Sequence, residues 1–266
     1  MTKESIPSAK PPAAWLGGKR NLARRIVARI EAIPHSTYAE PFLGMGGVFF
    51  RRRQAPEAEV VNDLNRDVAN LFRILQRHFP QFMDTLRFQL TTRTDFNRLV
   101  ATSPETLTDL ERAARFLYLQ RTAFGGKVSG RNFGVSPGNG ARFNLVTLER
   151  DLQDVHERLA GVVIECLPYD RFISRYDRAE TLFYLDPPYW GCEADYGRGL
   201  FCRDDFAALA EQLAGIKGRF ILSLNDTPGV RETFERFRIE AVETTYTVAR
   251  GDRPQTAREV LIVGPR

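Results

Sequence analysis

Cysteine and histidine are scarce in this chain, three of each in 266 residues. Cys166, Cys192 and Cys202 form no CxxC pair, and His35, His78 and His156 lie far apart. No cluster has metal-ligand spacing, so no zinc site or other metal is expected. An odd, small number of thiols suits a reducing compartment. No apolar run approaches the length of a membrane span, and Met1 to Pro12 is polar and proline-rich with no signal-like apolar segment. The expectation is a cytoplasmic, monomeric protein with a loose tail over residues 1–12. Internal repeats and long low-complexity segments are also missing. What remains is ordinary for a globule, with 43% hydrophobic and 27% charged residues. A net charge of +5 leans mildly towards a polyanionic partner.

The most telling stretch is Asp186-Pro187-Pro188-Tyr189-Trp190. It follows the apolar run Thr181 to Leu185, which reads as a buried strand. In open α/β sheets, ligands bind where strands run out into loops. Two prolines stiffen such a loop and remove two donors while their carbonyls stay free to accept. Pro-Pro after a strand can also be a mere terminator. With an acid before it and aromatics after it, the loop suits a planar group bearing an exocyclic amine, such as a nucleobase.

Short apolar segments at Tyr38–Glu40, Glu59–Asn62, Val162–Leu167, Thr181–Leu185, Arg219–Leu224, Thr244–Val248 and Glu259–Val263 read as strands. Helical patterns such as Asn21 to Ala32 and Asp205 to Leu213 alternate with them. The fold class is therefore α/β, a doubly wound, mostly parallel seven-stranded sheet, with an antiparallel hairpin at its end. From about Leu75 to Leu148 the alternation stops. Ser103-Pro104-Glu105 reads as a helix entry, and Thr106 to Arg121 as a long helix with Leu110, Ala113, Ala114, Leu117 and Tyr118 on one face. A Gly-rich basic stretch, Arg121 to Arg142, follows. The division is a tail at 1–12, a main domain at 13–74 and 149–266, and an inserted helical subdomain at 75–148.

A second glycine-rich loop, Glu40-Pro41-Phe42-Leu43-Gly44-Met45-Gly46-Gly47, follows the first sheet strand, and Val48-Phe49-Phe50 opens a helical segment. Such a loop lets backbone approach a ligand, or is only a tight turn. It is not GxGxxG, so no dinucleotide is indicated. Asn62-Asp63 ends the next strand, where an acid commonly holds ribose hydroxyls or caps the following helix. Upstream, Trp15-Leu16-Gly17-Gly18-Lys19 offers an aromatic face and a cation.

These four segments, in this order, resemble the Dam-type, alpha-class (D12) DNA adenine-N6 methyltransferases, over about Trp15 to Val263. Arg112 to Arg121 is similar to the segment leading into that family's DNA-reading hairpin, and Ile221 to Asp226 to the strand after its catalytic loop. The resemblance implies a Rossmann-like methyltransferase fold with S-adenosylmethionine as cofactor and double-stranded DNA as partner. It implies cofactor contacts from Trp15, Gly17, Lys19, Glu40, Pro41, Phe42, Gly44, Gly46, Asp63, Asp170 and Asp186. Asp186, Pro187, Pro188 and Tyr189 would form the catalytic loop, and the insertion would recognise the target. DNA contacts are expected from Arg121, Lys127, Arg131, Asn132 and Arg142, with Phe124 or Phe133 as wedges. Arg250 to Arg253 is a second candidate. The chain departs from the family after Tyr189, where the loop is short and Asp204-Asp205 replaces an Asp-His pair. Its hairpin core, Thr122 to Lys127, differs from that of GATC readers, which leaves the target sequence open.

In the chemistry so implied, Asp186 and the Pro187 carbonyl accept the two N–H groups of adenine's amine, favouring an sp3-like nitrogen that can attack a methyl group. The base must leave the duplex to reach them, and Tyr189, with Trp190, would stack on it. Alternatives with the same pocket are RNA N6-adenine and DNA N4-cytosine methylation. A protein or small-molecule amine methylase, and a non-catalytic DNA-binding module, are the readings from other classes.

Overall fold

The structure, a computed structural model, describes residues 4–134, 142–193, 199–246 and 255–264. Among these the strands are β1 (Glu4–Ser5), β2 (Thr37–Glu40), β3 (Gln54–Ala55), β4 (Ala58–Asn62), β5 (Val163–Glu165), β6 (Thr181–Leu185), β7 (Arg219–Asn225), β8 (Arg238–Tyr246) and β9 (Gln255–Gly264). The helices are α1 (Ala23–Ala32), α2 (Arg66–Arg77), α3 (Phe79–Leu86), α4 (Arg93–Ala101), α5 (Asp109–Thr122), α6 (Leu145–Arg158), α7 (Tyr169–Tyr176), α8 (Arg203–Ala214) and α9 (Pro228–Thr233).

Seven strands form one sheet in the order β5-β4-β2-β6-β7-β9-β8. The first five are parallel; β9 runs antiparallel to both β7 and β8. The α/β fold class and the closing hairpin are as the sequence implies. The chain leaves β2 towards β4 and β5, then returns to place β6 on the other side of β2. The carboxyl ends of β2 and β6 therefore flank the switch point, the position where such sheets open a crevice. The loops that leave there are the Gly-rich loop and the Asp186 loop.

Both sheet faces are covered, which explains the unbroken apolar run of β6. Leu182 and Tyr184 belong to one core with α1 and the inserted helices; Phe183 and Leu185 belong to the other with α7, α8 and α9. All five β6 residues are buried. The strand expected at Thr244–Val248 instead starts at Arg238. It is the sheet edge, where charged residues such as Glu240 and Glu243 alternate with apolar ones, and an apolar-run criterion misses it. Its expected end, beyond Tyr246, and the Arg250–Arg253 candidate lie outside the described residues.

The insertion is not a separate body. Phe82, Phe96 and Phe116 share one core with Ile26 and Phe49, and the boundaries drawn at 75 and 148 fall inside α2 and α6. The C-terminal half of α5 is buried on all sides, from Arg115 through Gln120, and not on one face. Its entry is Thr108, whose hydroxyl and Glu111 form a capping box; Pro104–Thr106 is a separate 3-10 turn. Arg158 of α6 makes two bonds to Glu59 of β4, at 2.6 and 2.7 Å, and Arg52 adds a third at 2.5 Å. This buried charge cluster ties the last inserted helix to the sheet.

From Glu4 onward the N-terminal segment is docked and not loose. Glu4–Ser5 pairs with Gln54–Ala55, Ala9 is buried, and the Ala9 N–H donates to Phe50 O at 2.8 Å. Among the described residues, no helix is long and apolar enough to cross a membrane, and no cluster of acids, histidines and cysteines could hold a metal.

Candidate active site

Asp186 leaves β6 at the switch point. Its Oδ1 receives Lys19 Nζ at 2.5 Å and the Ser223 hydroxyl of β7 at 3.1 Å. Ser223 is in turn 2.9 Å from the Tyr184 hydroxyl, so a buried chain of hydroxyls backs the carboxylate. Asp186 Oδ2 and the Pro187 carbonyl have no hydrogen-bond partner among the described residues. Burial raises the Asp186 pKa above its ordinary value, although Lys19 and Ser223 pull it down.

The rest of the loop is fixed at both aromatics. The Tyr189 hydroxyl accepts from Lys19 at 2.9 Å and donates to Glu259 of β9 at 2.6 Å. Asn225, the last residue of β7, holds Trp190 by both backbone groups, at 2.9 and 3.0 Å. The Trp190 ring packs against Phe206 with centroids 4.8 Å apart, under the Arg203 guanidinium. A Cβ on Gly229 would lie 2.3 Å from it. Trp190 is therefore packed beneath the loop; the Tyr189 ring is partly buried too, with Lys19 Nζ 4.4 Å from its centroid.

Lys19 lines the larger cleft but is bonded mainly to the protein itself. It is 3% exposed, and its three N–H groups meet Asp186, Tyr189 and, at 3.2 Å, the Gly17 carbonyl. A ligand carboxylate reaches it only by displacing one of these acceptors. Gly17, at φ 70°, forms the turn that carries Lys19 inward, with the Gly18 N–H donating to Trp15 O at 3.0 Å.

The Gly-rich loop is shaped by its own neighbours. A Cβ on Gly44 (φ +51°) would lie 2.6 Å from Trp15 Nε1, and one on Gly46 (φ +69°) 2.4 Å from the Phe50 ring. These glycines make room for the protein's own aromatics, and Gly44 also lines both clefts. The expected helical segment after them is only the 3-10 turn Phe49–Arg51. Pro41 contributes its carbonyl, which accepts from Asn62 Nδ2 at 2.9 Å; Asn62 also bonds Leu167 in both directions. Glu40 is buried, accepts from the Tyr38 hydroxyl at 2.6 Å, and is pushed by burial to a pKa of about 8. Asp63 is not the cap of α2; Asn65 is.

Two clefts meet at Trp15, Phe42, Gly44 and Asp186. One, about 540 Å³, is mainly aromatic and aliphatic, walled by Trp15, Pro41, Phe42, Leu64, Leu167, Tyr169, Phe201 and Pro188, with Asp63 among them. The other, about 2070 Å³, carries Glu40 and Asp186 together with Arg20, Arg51, Arg121 and Arg142. Asp170 lines neither; it is exposed, and its neighbour Tyr169 forms the wall. Tyr169, Phe201, Ser223 and Glu259 were not picked out from the sequence. A serine and a glutamate, both under 2% exposed within apolar strands, are the signal that could have found the last two.

Of the expected DNA-contact residues, Phe124, Lys127, Asn132 and Arg142 are exposed. Arg121 donates to Pro12 O at 2.6 Å, and Arg131 to Gln120 Oε1 at 3.3 Å, so both spend part of their guanidinium on the fold. Burial, then Arg115, pushes Arg131 down to a pKa of about 10. Phe133 packs on Phe96 at 5.2 Å. The Phe124 N–H donates to Asn132 O and the Gly134 N–H to Thr122 O, both at 2.8 Å, which makes this stretch a hairpin base. Residues 135–141 of it lie outside the described residues.

Residues 15–248 match the profile of the D12 class N6 adenine-specific DNA methyltransferases. The type II methyltransferase M.CviBI of Paramecium bursaria Chlorella virus NC1A is 24% identical, over 89% of this chain and 91% of that protein. The type II methyltransferase M1.LlaDCHI of Lactococcus lactis subsp. cremoris is 27% identical, over 90% and 89%. A DNA adenine methylase of Haemophilus influenzae is 23% identical, over 95% and 92%. With its profile match running through both loops of the switch-point site, the chain belongs to the D12 class N6 adenine-specific DNA methyltransferase family.

Proposed function

We propose that Asp186 Oδ2 and the Pro187 carbonyl are the acceptors for the amine of an adenine turned out of duplex DNA. The observation that carries this is that neither has a hydrogen-bond partner among the described residues, while Asp186 lines both clefts and its Oδ1 is held by Lys19 and Ser223. S-adenosylmethionine, the cofactor of this enzyme class, supplies an electrophilic methyl group on a positively charged sulfur. The donor set fits it. Trp15, Phe42 and Tyr169 line a mainly apolar cleft with Asp63 in its wall, and Asp186, with the carboxyl of Glu40, faces the position of a cation beside it.

The chain's part is mostly placement. The amine's lone pair is delocalised into the ring, and two acceptors on its N–H groups favour the geometry in which it is localised. A rigid, pre-oriented carboxylate does this without reorganisation. As the nitrogen gains a bond it sheds a proton, and Asp186, with its raised pKa, is placed to hold it. Tyr189 provides the stacking face, worth about 1–3 kcal/mol per base against an unstacking cost of a few kcal/mol. Arg142, Lys127, Asn132 and Phe124, on the inserted region, are the exposed groups for the DNA strand. We further infer a monomer working in the cytoplasm.

The test is methyl transfer from labelled S-adenosylmethionine to unmethylated genomic DNA, with nucleoside mass spectrometry of the product. N6-methyladenine from the parent, and none from Asp186→Ala that still binds cofactor, is the expected result. Full activity of Asp186→Ala would falsify the assignment.

A further inference from the structure

Behind the Asp186 loop lies a charged group that the acceptor scheme does not use. Glu259 of β9 is 1% exposed, in a strand that continues Val260-Leu261-Ile262. A carboxylate is costly to bury there unless it is paired. Its Oε1 accepts from the Tyr189 hydroxyl at 2.6 Å, and its Oε2 lies 3.8 Å from Lys19 Nζ. The same Nζ is 2.5 Å from Asp186 Oδ1. One buried cation thus faces two carboxylates, and one tyrosine hydroxyl bridges the cation and the farther carboxylate. The strand register adds a second relation. Glu259 is paired across the ladder with Asn225, the residue that holds Trp190. Adjacent positions on β9 and β7 therefore fix the two aromatics of the loop.

We propose that Glu259 is a positioning residue for methyl transfer, sharing Lys19 with Asp186 and anchoring Tyr189 so that Asp186 stays a strong acceptor for the target amine. This rests on the reading of Asp186 given above. A lysine bound to Asp186 alone would draw down its acceptor strength; a second carboxylate divides the cation's field. Among the described residues, the groups facing Asp186 are Lys19 from the N-terminal loop, Glu40 from β2, Tyr184 from β6, Ser223 from β7 and Glu259 from β9, and Tyr189 of its own loop bonds the same lysine. Glu259 pushes the Asp186 pKa up and Lys19 pulls it down. Removing the Glu259 charge therefore lowers that pKa, and the acid limb of kcat moves to lower pH.

Steady-state kinetics of Glu259→Gln on unmethylated genomic DNA tests this. The expected result is a kcat lower by about 10-fold or more, as for loss of a charged hydrogen bond. KM for S-adenosylmethionine and for DNA should stay within about twofold, and the acid limb of kcat should lie below the parent's. Glu259→Asp should recover part of the loss. Tyr189→Phe combined with Glu259→Gln should cost little more than the worse single change, since both act through one contact. A parental kcat with an unmoved acid limb overturns the proposal. If Glu259→Gln does not fold, Tyr189→Phe alone carries the test: it keeps the ring and removes the link, and an unchanged kcat is the overturning result. An active Asp186→Ala would sink the underlying reading, whereas an inactive Asp186→Ala beside a fully active Glu259→Gln sinks this inference alone.

Discussion

Asp63, just past β4, accepts from the backbone N–H of Gly44, in the loop after β2, at 2.8 Å, and its other oxygen accepts from Asn65 at 2.8 Å. One carboxylate thus fixes the Gly-rich loop against the start of α2 while lining the apolar cleft. Removing it leaves two N–H groups without their acceptor, a cost of about 1–3 kcal/mol each where they are desolvated. Asp63→Ala should melt at a lower temperature and bind S-adenosylmethionine more weakly, with Asp63→Asn in between because it keeps one acceptor. Calorimetric titration and a thermal melt check this. Parental cofactor affinity in Asp63→Ala would separate the loop contact from binding.

That contact also shows what a sequence can and cannot yield. The Asp186 loop and β6 were legible because both lie in one short stretch: an apolar run buried on both faces, then an acid and two prolines. The partners of Asp186 were not, since they come from β7, β9 and the N-terminal loop, and only the closed sheet brings them together. Spacing marks Lys19 as a cation but not as one buried against Asp186, because it says nothing of burial. Gly44 and Gly46 were marked as permissive positions, yet what fills the missing Cβ space, Trp15 and Phe50, is decided by packing. Composition alone implies a loose tail over residues 1–12, and backbone pairing of Glu4–Ser5 with Gln54–Ala55 overrides that.

The acid at the end of β2 has a pH consequence. Burial holds Glu40 at a pKa of about 8, so near neutrality it carries a proton in the free protein. A cation placed beside it in the larger cleft lowers that pKa and drives the proton off. Binding of S-adenosylmethionine at about pH 7 should therefore release protons, and binding at about pH 9, where Glu40 is already ionised, should release fewer. Titration calorimetry in two buffers of different ionisation enthalpy reads the release directly. Identical heats in both buffers near neutrality, or a dependence that survives in Glu40→Gln, would show that this carboxyl does not face the cofactor.

The two phenylalanines of the hairpin base separate fold from DNA contact. Phe133 lies 5.2 Å from the Phe96 ring, and the Arg93 guanidinium lies 5.2 Å from its own ring. Phe124 is 56% exposed, although its N–H is bonded to Asn132. An exposed ring contributes little to the core, so Phe124→Ala should shift stability by no more than about 0.5 kcal/mol. Phe133→Ala removes packed aromatic volume and should cost about 2–3 kcal/mol, somewhat below the ~3–5 kcal/mol of a fully buried phenylalanine, since the site is only partly enclosed. On DNA the order should reverse: Phe124→Ala should lower kcat/KM for DNA while leaving cofactor affinity unchanged. A wedge that props the strand apart loses most on intact duplex, so the deficit should shrink on substrate with a mismatch at the target adenine, where unstacking is already cheap. An equal deficit on matched and mismatched duplex would assign Phe124 to simple strand contact, and no deficit on either would remove it from the interface.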